Sequence, residues 1–159
     1  MRTLFIKQKV FKLTDHYPIV DEEGKPYYYV DQIIGFPTST YIISDSYKDE
    51  LFVITPKVLS FFPSCDVEFY NGELIQICTR PSLFHRKIEI IAENYNLSLV
   101  GSFGDYNFDI RNDNDTIATI DRKFSFSDQY AINIFNEQYQ DIIIALAIAL
   151  DRFLDDDRK

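Results

Sequence analysis

The stretch RPSLFHRK, residues 80–87, holds the densest positive charge in a chain whose formal net charge is −9. Proline and serine predict a loop here, and loops carry binding residues more often than strands do. A phosphate or carboxylate group suits such a cluster of cations. We therefore interpret it as a candidate anion-binding site, with an ordinary solvated connection as the alternative. The candidate residues are Arg80, His85, Arg86 and Lys87.

A second group of cations lies near the N-terminus. Lys7 and Lys9 share one face of a predicted strand, because alternate residues of a strand point the same way, and Lys12 follows closely. Lys7 and Lys9 are further candidates for anion binding. The alternative is a solvated strand face whose lysines discourage edge-to-edge pairing.

Other chemistry finds little support in the sequence. The two histidines, His16 and His85, lie at no zinc-ligand spacing from other ligand types. The stretch RNDNDT, residues 111–116, lacks the glycine and the distal glutamate of a calcium loop and predicts a hairpin turn. No G-x-S-x-G nucleophile motif occurs. We expect no catalytic residues, no metal and no cofactor, and we keep a hydrolase-like enzyme with dispersed residues as the less favoured alternative.

Composition predicts one acidic globular domain over residues 1–159. Hydrophobic residues make up 46% of the chain, and 14 Phe and 11 Tyr favour strands. The acidic balance argues against nucleic acid and weakens binding to anionic membranes, unless a local basic patch overrides it. Free thiols at Cys65 and Cys78 are expected, with a disulfide left open. Since MRTLFIKQKVFK is too short an apolar run for a secretory signal, we expect a cytoplasmic protein.

Short alternating segments dominate the chain and predict eleven or twelve β-strands. The sharpest local pattern is DVEFY-NG-ELIQI, where Asn71 and Gly72 separate two β-rich runs. This pair predicts a two-residue type I′ hairpin turn. Strands at such regular spacing are typical of an all-β barrel or sandwich.

One segment predicts a helix, DIIIALAIALDRFL at residues 141–154. Its nine consecutive Ile, Leu and Ala residues leave no polar face, so the helix is either buried or in a membrane. A membrane span needs about 20 apolar residues, so burial is the better interpretation. A closed barrel of eleven strands can surround such a helix, and the count of eleven or twelve segments is in that range. We expect helix from about residue 140 to 153, with four residues almost fully buried: Ile143, Leu146, Ala147 and Leu150.

The chain also resembles a known family. FIKQKVFKLTDHYPIVDEEGKPYYYV resembles the opening of LURP-one-related proteins, and FDIRNDNDTIATIDRKFSFSDQYAINI with DIIIALAIALDRF resembles their closing segment. The resemblance is clearest at residues 4–31 and 106–153. That family is grouped with tubby C-terminal domains and phospholipid scramblases, which implies a closed twelve-stranded barrel around a hydrophobic C-terminal helix.

The resemblance assigns no functional residue. Tubby domains bind phosphoinositide headgroups through basic residues, but no matching basic motif occurs here. Scramblases carry a palmitoylated cysteine cluster and an exposed helix, which this chain lacks. We expect a non-enzymatic cytoplasmic binding or scaffold domain, for a lipid headgroup or another small anion. The main alternative is a subunit for protein–protein interaction.

Overall fold

The computed structural model describes residues 1–7, 16–57, 61–81, 86–102, 107–123 and 129–156. A short 3₁₀ helix at Glu137–Tyr139 leads into one α-helix, α1 (Gln140–Asp156). The described strands are β1 (Arg2–Lys7), β2 (His16–Val20), β3 (Pro26–Ile33), β4 (Thr40–Asp45), β5 (Glu50–Pro56), β6 (Ser64–Phe69), β7 (Leu74–Pro81), β8 (Arg86–Ala92), β9 (Leu97–Ser102), β10 (Asn107–Asn112), β11 (Asp115–Lys123) and β12 (Gln129–Ile134).

All twelve strands belong to one antiparallel sheet, in the order β8-β7-β6-β5-β4-β3-β2-β1-β12-β11-β10-β9. Sequential strands are paired except β8 and β9, which are the two edges of the sheet, and the chain ends meet at β1 and β12. There, β1 pairs with β12 in a register from Arg2–Ile134 to Lys7–Gln129. The edge strands β8 and β9 approach each other within 8 Å at their Cα atoms. The sheet is therefore a nearly closed barrel, which confirms the predicted fold class.

Alternation along each strand decides which side chains fill the barrel. On β2, Tyr17 and Ile19 are buried, while His16 and Pro18, which alternate with them, are exposed. The same period of two continues on β3, where Tyr28 and Val30 point inward. β-branched isoleucine dominates the buried set and suits a pleated surface covered on one face.

Helix α1 runs through the interior of this barrel and confirms the prediction made from its sequence. Every residue from Ile142 to Leu150 is buried. This set includes the four residues whose burial the sequence predicts: Ile143, Leu146, Ala147 and Leu150. A helix on the outer surface of a sheet would retain a solvated face. Because walls surround α1 on all sides, each position from Ile142 to Leu150 is apolar.

Polar contacts fix the start of α1 against the barrel wall. The Tyr28 hydroxyl donates to Asp141 Oδ1 at 2.6 Å and accepts a hydrogen bond from Gln140 Nε2 at 2.9 Å. Arg2 Nη1 in turn donates to Gln140 Oε1 at 2.6 Å. We call the barrel end where α1 begins the proximal end. The opposite end, where α1 finishes, is the distal end.

Three hairpins at the proximal end share one turn form, at residues 21–25, 45–49 and 69–73. In each, the first amide donates to the carbonyl of the fifth residue, and the fourth amide donates to the carbonyl of the first. The predicted type I′ turn is therefore wrong. That turn needs positive φ at both central residues, but only Gly72 has it, at 92°. Asn71 instead accepts a hydrogen bond from the Glu73 amide at 2.9 Å, which favours a longer turn.

Two buried phenols predict a loss of stability at alkaline pH. Burial, followed by the Asp151 carboxylate, raises the pKa of Tyr17, and burial, followed by Asp141, raises the pKa of Tyr28. A raised folded-state pKa gives stability that is present below the unfolded pKa of about 10 and is lost above it. We expect the free energy of unfolding to fall above pH 10 by about 1.4 kcal/mol per pH unit for each such phenol.

Urea unfolding between pH 8 and 11.5 measures this slope. Tyr28→Phe lowers stability at every pH because it removes a hydrogen bond to Asp141, so the level is not the readout. The readout is the slope of the free energy of unfolding against pH above pH 10, and this slope should become shallower in the variant. An unchanged slope would contradict the assignment of a neutral, buried Tyr28 phenol.

Candidate functional site

Two of the predicted anion-binding residues lie side by side on the barrel wall. Arg80 of β7 is directly opposite Lys87 of β8 in the antiparallel register. Both are exposed, whereas Thr79 and Ile88, which alternate with them, are buried. Side chains opposite each other on one sheet face are about 5 Å apart at Cβ. Pairing therefore places two cations within reach of one anionic group, close to the distal end.

A carboxylate shares this patch. Arg80 Nε donates to Glu89 Oε2 at 2.9 Å, and both side chains are about half exposed, at 53% and 46%. This hydrogen bond raises the pKa of the Arg80 guanidinium. Since a guanidinium has five donors, one bond to Glu89 leaves the others for a ligand. Lys87 lies on the same face and adds a second positive charge.

The remaining predicted cations are placed less completely. Arg86 pairs with Pro81 at the start of β8, and Lys7 pairs with Gln129 at the end of β1. Five strands of the sheet separate β1 from β7, so Lys7 does not join the Arg80 patch along that side. His85, Lys9 and Lys12 lie outside the described residues.

A surface cavity of about 510 Å³ lies over the outer faces of β2 to β5. His16 and Asp31, opposite each other across β2 and β3, form a close hydrogen bond in it. The His16 ring also stacks on Tyr29, with centroids 5.4 Å apart and planes 12° apart. Ser44 lines the same cavity. The sequence spacing of 15 residues gave no direct sign of this pair.

A hydrolase would need a nucleophile in contact with such a histidine, within about 2.6–3.2 Å. Ser44 pairs with Tyr29, whereas His16 pairs with Asp31. Ser44 therefore lies two strands across and two residues along from His16. With strands about 4.8 Å apart, the two backbones are separated by roughly 10 Å or more. Among the residues that line this cavity, the geometry provides no serine–histidine contact.

The other carboxylate-rich feature lies at the proximal end. A groove of about 480 Å³ has Glu73 and Glu93 at its rim, and the Tyr95 hydroxyl donates to the Glu73 carboxylate at 3.2 Å.

The stretch 111–116 forms the hairpin turn between β10 and β11, as expected from sequence. Within the described parts of the chain, no three His, Cys, Asp or Glu side chains are grouped to hold a metal ion.

The two thiols lie on adjacent strands and are free. Cys65 of β6 is buried, and burial raises the pKa of its thiol to about 12. Cys78 of β7 is partly exposed. Cys65 faces the interior and Cys78 lies opposite Ser64, so the two side chains lie on different faces of the sheet.

No helix in the described part of the chain has the length and apolar character to cross a membrane. No curated protein and no solved structure matches the chain significantly. A family model described as LURP-one-related matches residues 2–151, which covers the whole barrel and most of α1. That match spans the same helix-filled, nearly closed barrel. The chain therefore belongs to the LURP-one-related family.

Proposed function

We propose that this chain is a non-enzymatic binding domain whose patch at Arg80 and Lys87 holds a small anionic group, such as a phosphorylated lipid headgroup. The observation that supports it is the exposed, directly opposed pair of cations in a chain of net charge −9. Family membership supports the coarser part, a tubby-like binding domain. We also propose that the domain spans residues 1–159 and acts in the cytoplasm, where Cys65 and Cys78 stay reduced.

The chemistry of the patch is electrostatic rather than catalytic. A guanidinium offers a planar fork of donors for a phosphate, and an ammonium offers a compact point charge. Both side chains are solvated, and water screens an exposed ion pair so that it contributes little. The affinity for a lone headgroup should therefore be modest and should fall as salt increases.

Titration with an inositol phosphate, followed by NMR, tests the patch. We expect amide shifts confined to the facing ends of β7 and β8, because the ligand contacts only exposed groups there. The double variant Arg80→Glu, Lys87→Glu should lose these shifts at millimolar ligand, since it reverses both charges. The control is Lys25→Glu, which reverses one charge at an exposed lysine in a proximal turn and should leave the shifts unchanged.

Two results would contradict the proposal. One is the absence of any shift in the wild-type chain at millimolar inositol phosphate. The other is an equal loss in the Lys25→Glu control, which would mean that total charge rather than the patch matters. Either result leaves the protein–protein interaction subunit as the better reading of this barrel.

A further inference from the structure

The two ends of the barrel differ in charge. At the distal end, the two terminal residues of each strand include no Asp or Glu and six Lys or Arg. We call these six residues the basic collar: Lys7, Arg80, Arg86, Lys87, Arg122 and Lys123. At the proximal end the corresponding positions hold four acids against two bases, namely Asp45, Glu50, Glu68 and Asp115 against Arg2 and Arg111. The net charge of −9 is therefore unevenly distributed along the barrel axis.

The connections between strands sharpen this polarity. The six proximal connections, between β2 and β3, β4 and β5, β6 and β7, β8 and β9, β10 and β11, and β12 and α1, carry eight acids and two bases. Residues 152–159 carry three acids and three bases, so their charges do not offset the basic collar.

Large apolar side chains are exposed at the same distal end. Phe36 in the β3–β4 connection and Phe61 in the β5–β6 connection are 100% and 101% exposed, and Ile34 is 74% exposed. Each of the other four segments that join strands at this end also contains phenylalanine. Among the proximal connections only one does, at Phe135.

Phe36 and Phe61 are placed to act together. β3, β4, β5 and β6 are consecutive in the sheet, so their two distal hairpins are neighbours on the rim. With strands about 4.8 Å apart, the hairpins are separated by roughly 10 Å. Exposed aromatic side chains at that spacing, beside the basic collar, suit the two layers of a membrane surface. Apolar groups enter the boundary of the acyl chains while cations face the headgroups.

The acidic proximal end does not oppose such an orientation. A six-residue strand is about 20 Å long, so the proximal carboxylates lie roughly that far from a surface at the distal end. Ionic screening at physiological salt acts over about 8 Å. An anionic surface at the distal end therefore interacts mainly with the collar. An anionic surface repels the proximal acids, so docking through the distal end is favoured over docking through the proximal end.

We propose that the distal end is a docking face for an anionic phospholipid bilayer, with Phe36 and Phe61 entering the headgroup boundary and Arg80 and Lys87 contacting the headgroups. The electrostatic half of this inference rests on the proposed headgroup function, and the apolar half does not. A protein partner or a second copy of the chain would use the same side chains without requiring anionic lipid.

Sedimentation with vesicles tests the docking face. We expect the chain to bind vesicles of phosphatidylcholine mixed with phosphatidylserine, and to bind pure phosphatidylcholine vesicles much less. Replacing both aromatic side chains, Phe36→Ser with Phe61→Ser, should weaken binding by about tenfold or more, because the apolar area available for insertion is lost. Tyr47→Ser is the matched control, since Tyr47 is an 86% exposed aromatic residue in a proximal turn.

Several outcomes would overturn the docking face. They are no binding to the mixed vesicles, equal loss in the Tyr47→Ser control, or unchanged binding by the double phenylalanine variant. If the phenylalanine variant instead changes only the sedimentation of the chain without lipid, the distal end is an interface between copies.

The two proposals fail separately. Inositol phosphate shifts at Arg80 and Lys87 without vesicle binding would leave the headgroup site and remove the docking face. Vesicle binding that depends on Phe36 and Phe61, without inositol phosphate shifts, would keep the docking face and remove the headgroup site. The phenylalanine variant should bind inositol phosphate as the wild type does, because neither ring contributes charge.

Discussion

Leu146→Asp should unfold this protein at neutral pH. Leu146 is 2% exposed in the middle of α1, and barrel walls surround the helix. A carboxylate there has no water, and a buried unpaired charge costs several kcal/mol beyond the lost packing. Since small domains have only about 5–15 kcal/mol of stability in total, the variant should lack a cooperative thermal transition. Circular dichroism and calorimetry measure this directly.

The neutral variant Leu146→Asn separates charge from packing. Burial raises the pKa of an introduced aspartate, so the penalty is smallest below the unfolded pKa of about 4 and grows as pH rises. The two variants should therefore converge in stability near pH 4 and diverge towards pH 7. A cooperative, wild-type melt from Leu146→Asp at neutral pH would show that α1 is not the barrel core.

Phe52→Ala should cost about 3–5 kcal/mol, the usual range for a buried phenylalanine. Phe52 is 0% exposed on β5, and its ring centroid is 5.1 Å from that of Phe69. The truncation leaves a cavity between the wall and α1, because a closed barrel collapses little around a missing ring. Urea unfolding gives the change in free energy.

Phe36→Ala is the matched control for that measurement. It makes the same chemical change at a residue that is 100% exposed, so stability should change by less than about 0.5 kcal/mol. A large loss from Phe36→Ala, or a small one from Phe52→Ala, would mean that the described burial is wrong. An unchanged stability would show that Phe36 is not needed for folding.

The architecture was predictable because its strongest constraint lies in one short segment. Nine apolar residues with no polar face, from Ile142 to Leu150, exclude a helix on a sheet surface and demand an enclosure. The alternating segments then predict the strands that form the barrel wall. The sequence predicts eleven or twelve strands rather than one number, since alternation marks a strand without showing where the neighbouring strand begins.

Turn geometry was harder to predict. Asn71-Gly72 is the usual mark of a two-residue turn, but the Asn71 side chain accepts a hydrogen bond from the Glu73 amide and extends the loop. Lys48 occupies the same position of its turn as Gly72 and also has a positive φ, at 69° against 92°, without being glycine. Local sequence favours several turns of similar energy, and the register of the flanking strands selects among them.

The candidate site was predictable only in part. Charge density identified Arg80 and Lys87, but their direct opposition depends on the β7–β8 register. The His16–Asp31 pair was missed, although folding the sequence back about the turn at residues 21–25 brings the two positions opposite each other. The polarity between barrel ends was also missed. It appears only when residues are grouped by the end at which their strands finish.

The position of α1 in the chain has a consequence for biosynthesis. The element that fills the barrel is translated after all twelve strands, and β1 closes the wall only by pairing with β12, about 130 residues later. At about 5–20 residues per second, a growing chain spends roughly 7–26 s with β1 lacking that partner. We expect this protein to depend on holding chaperones during synthesis. Protease added to stalled ribosomal complexes should digest chains that end before residue 140 and spare those in which α1 has emerged.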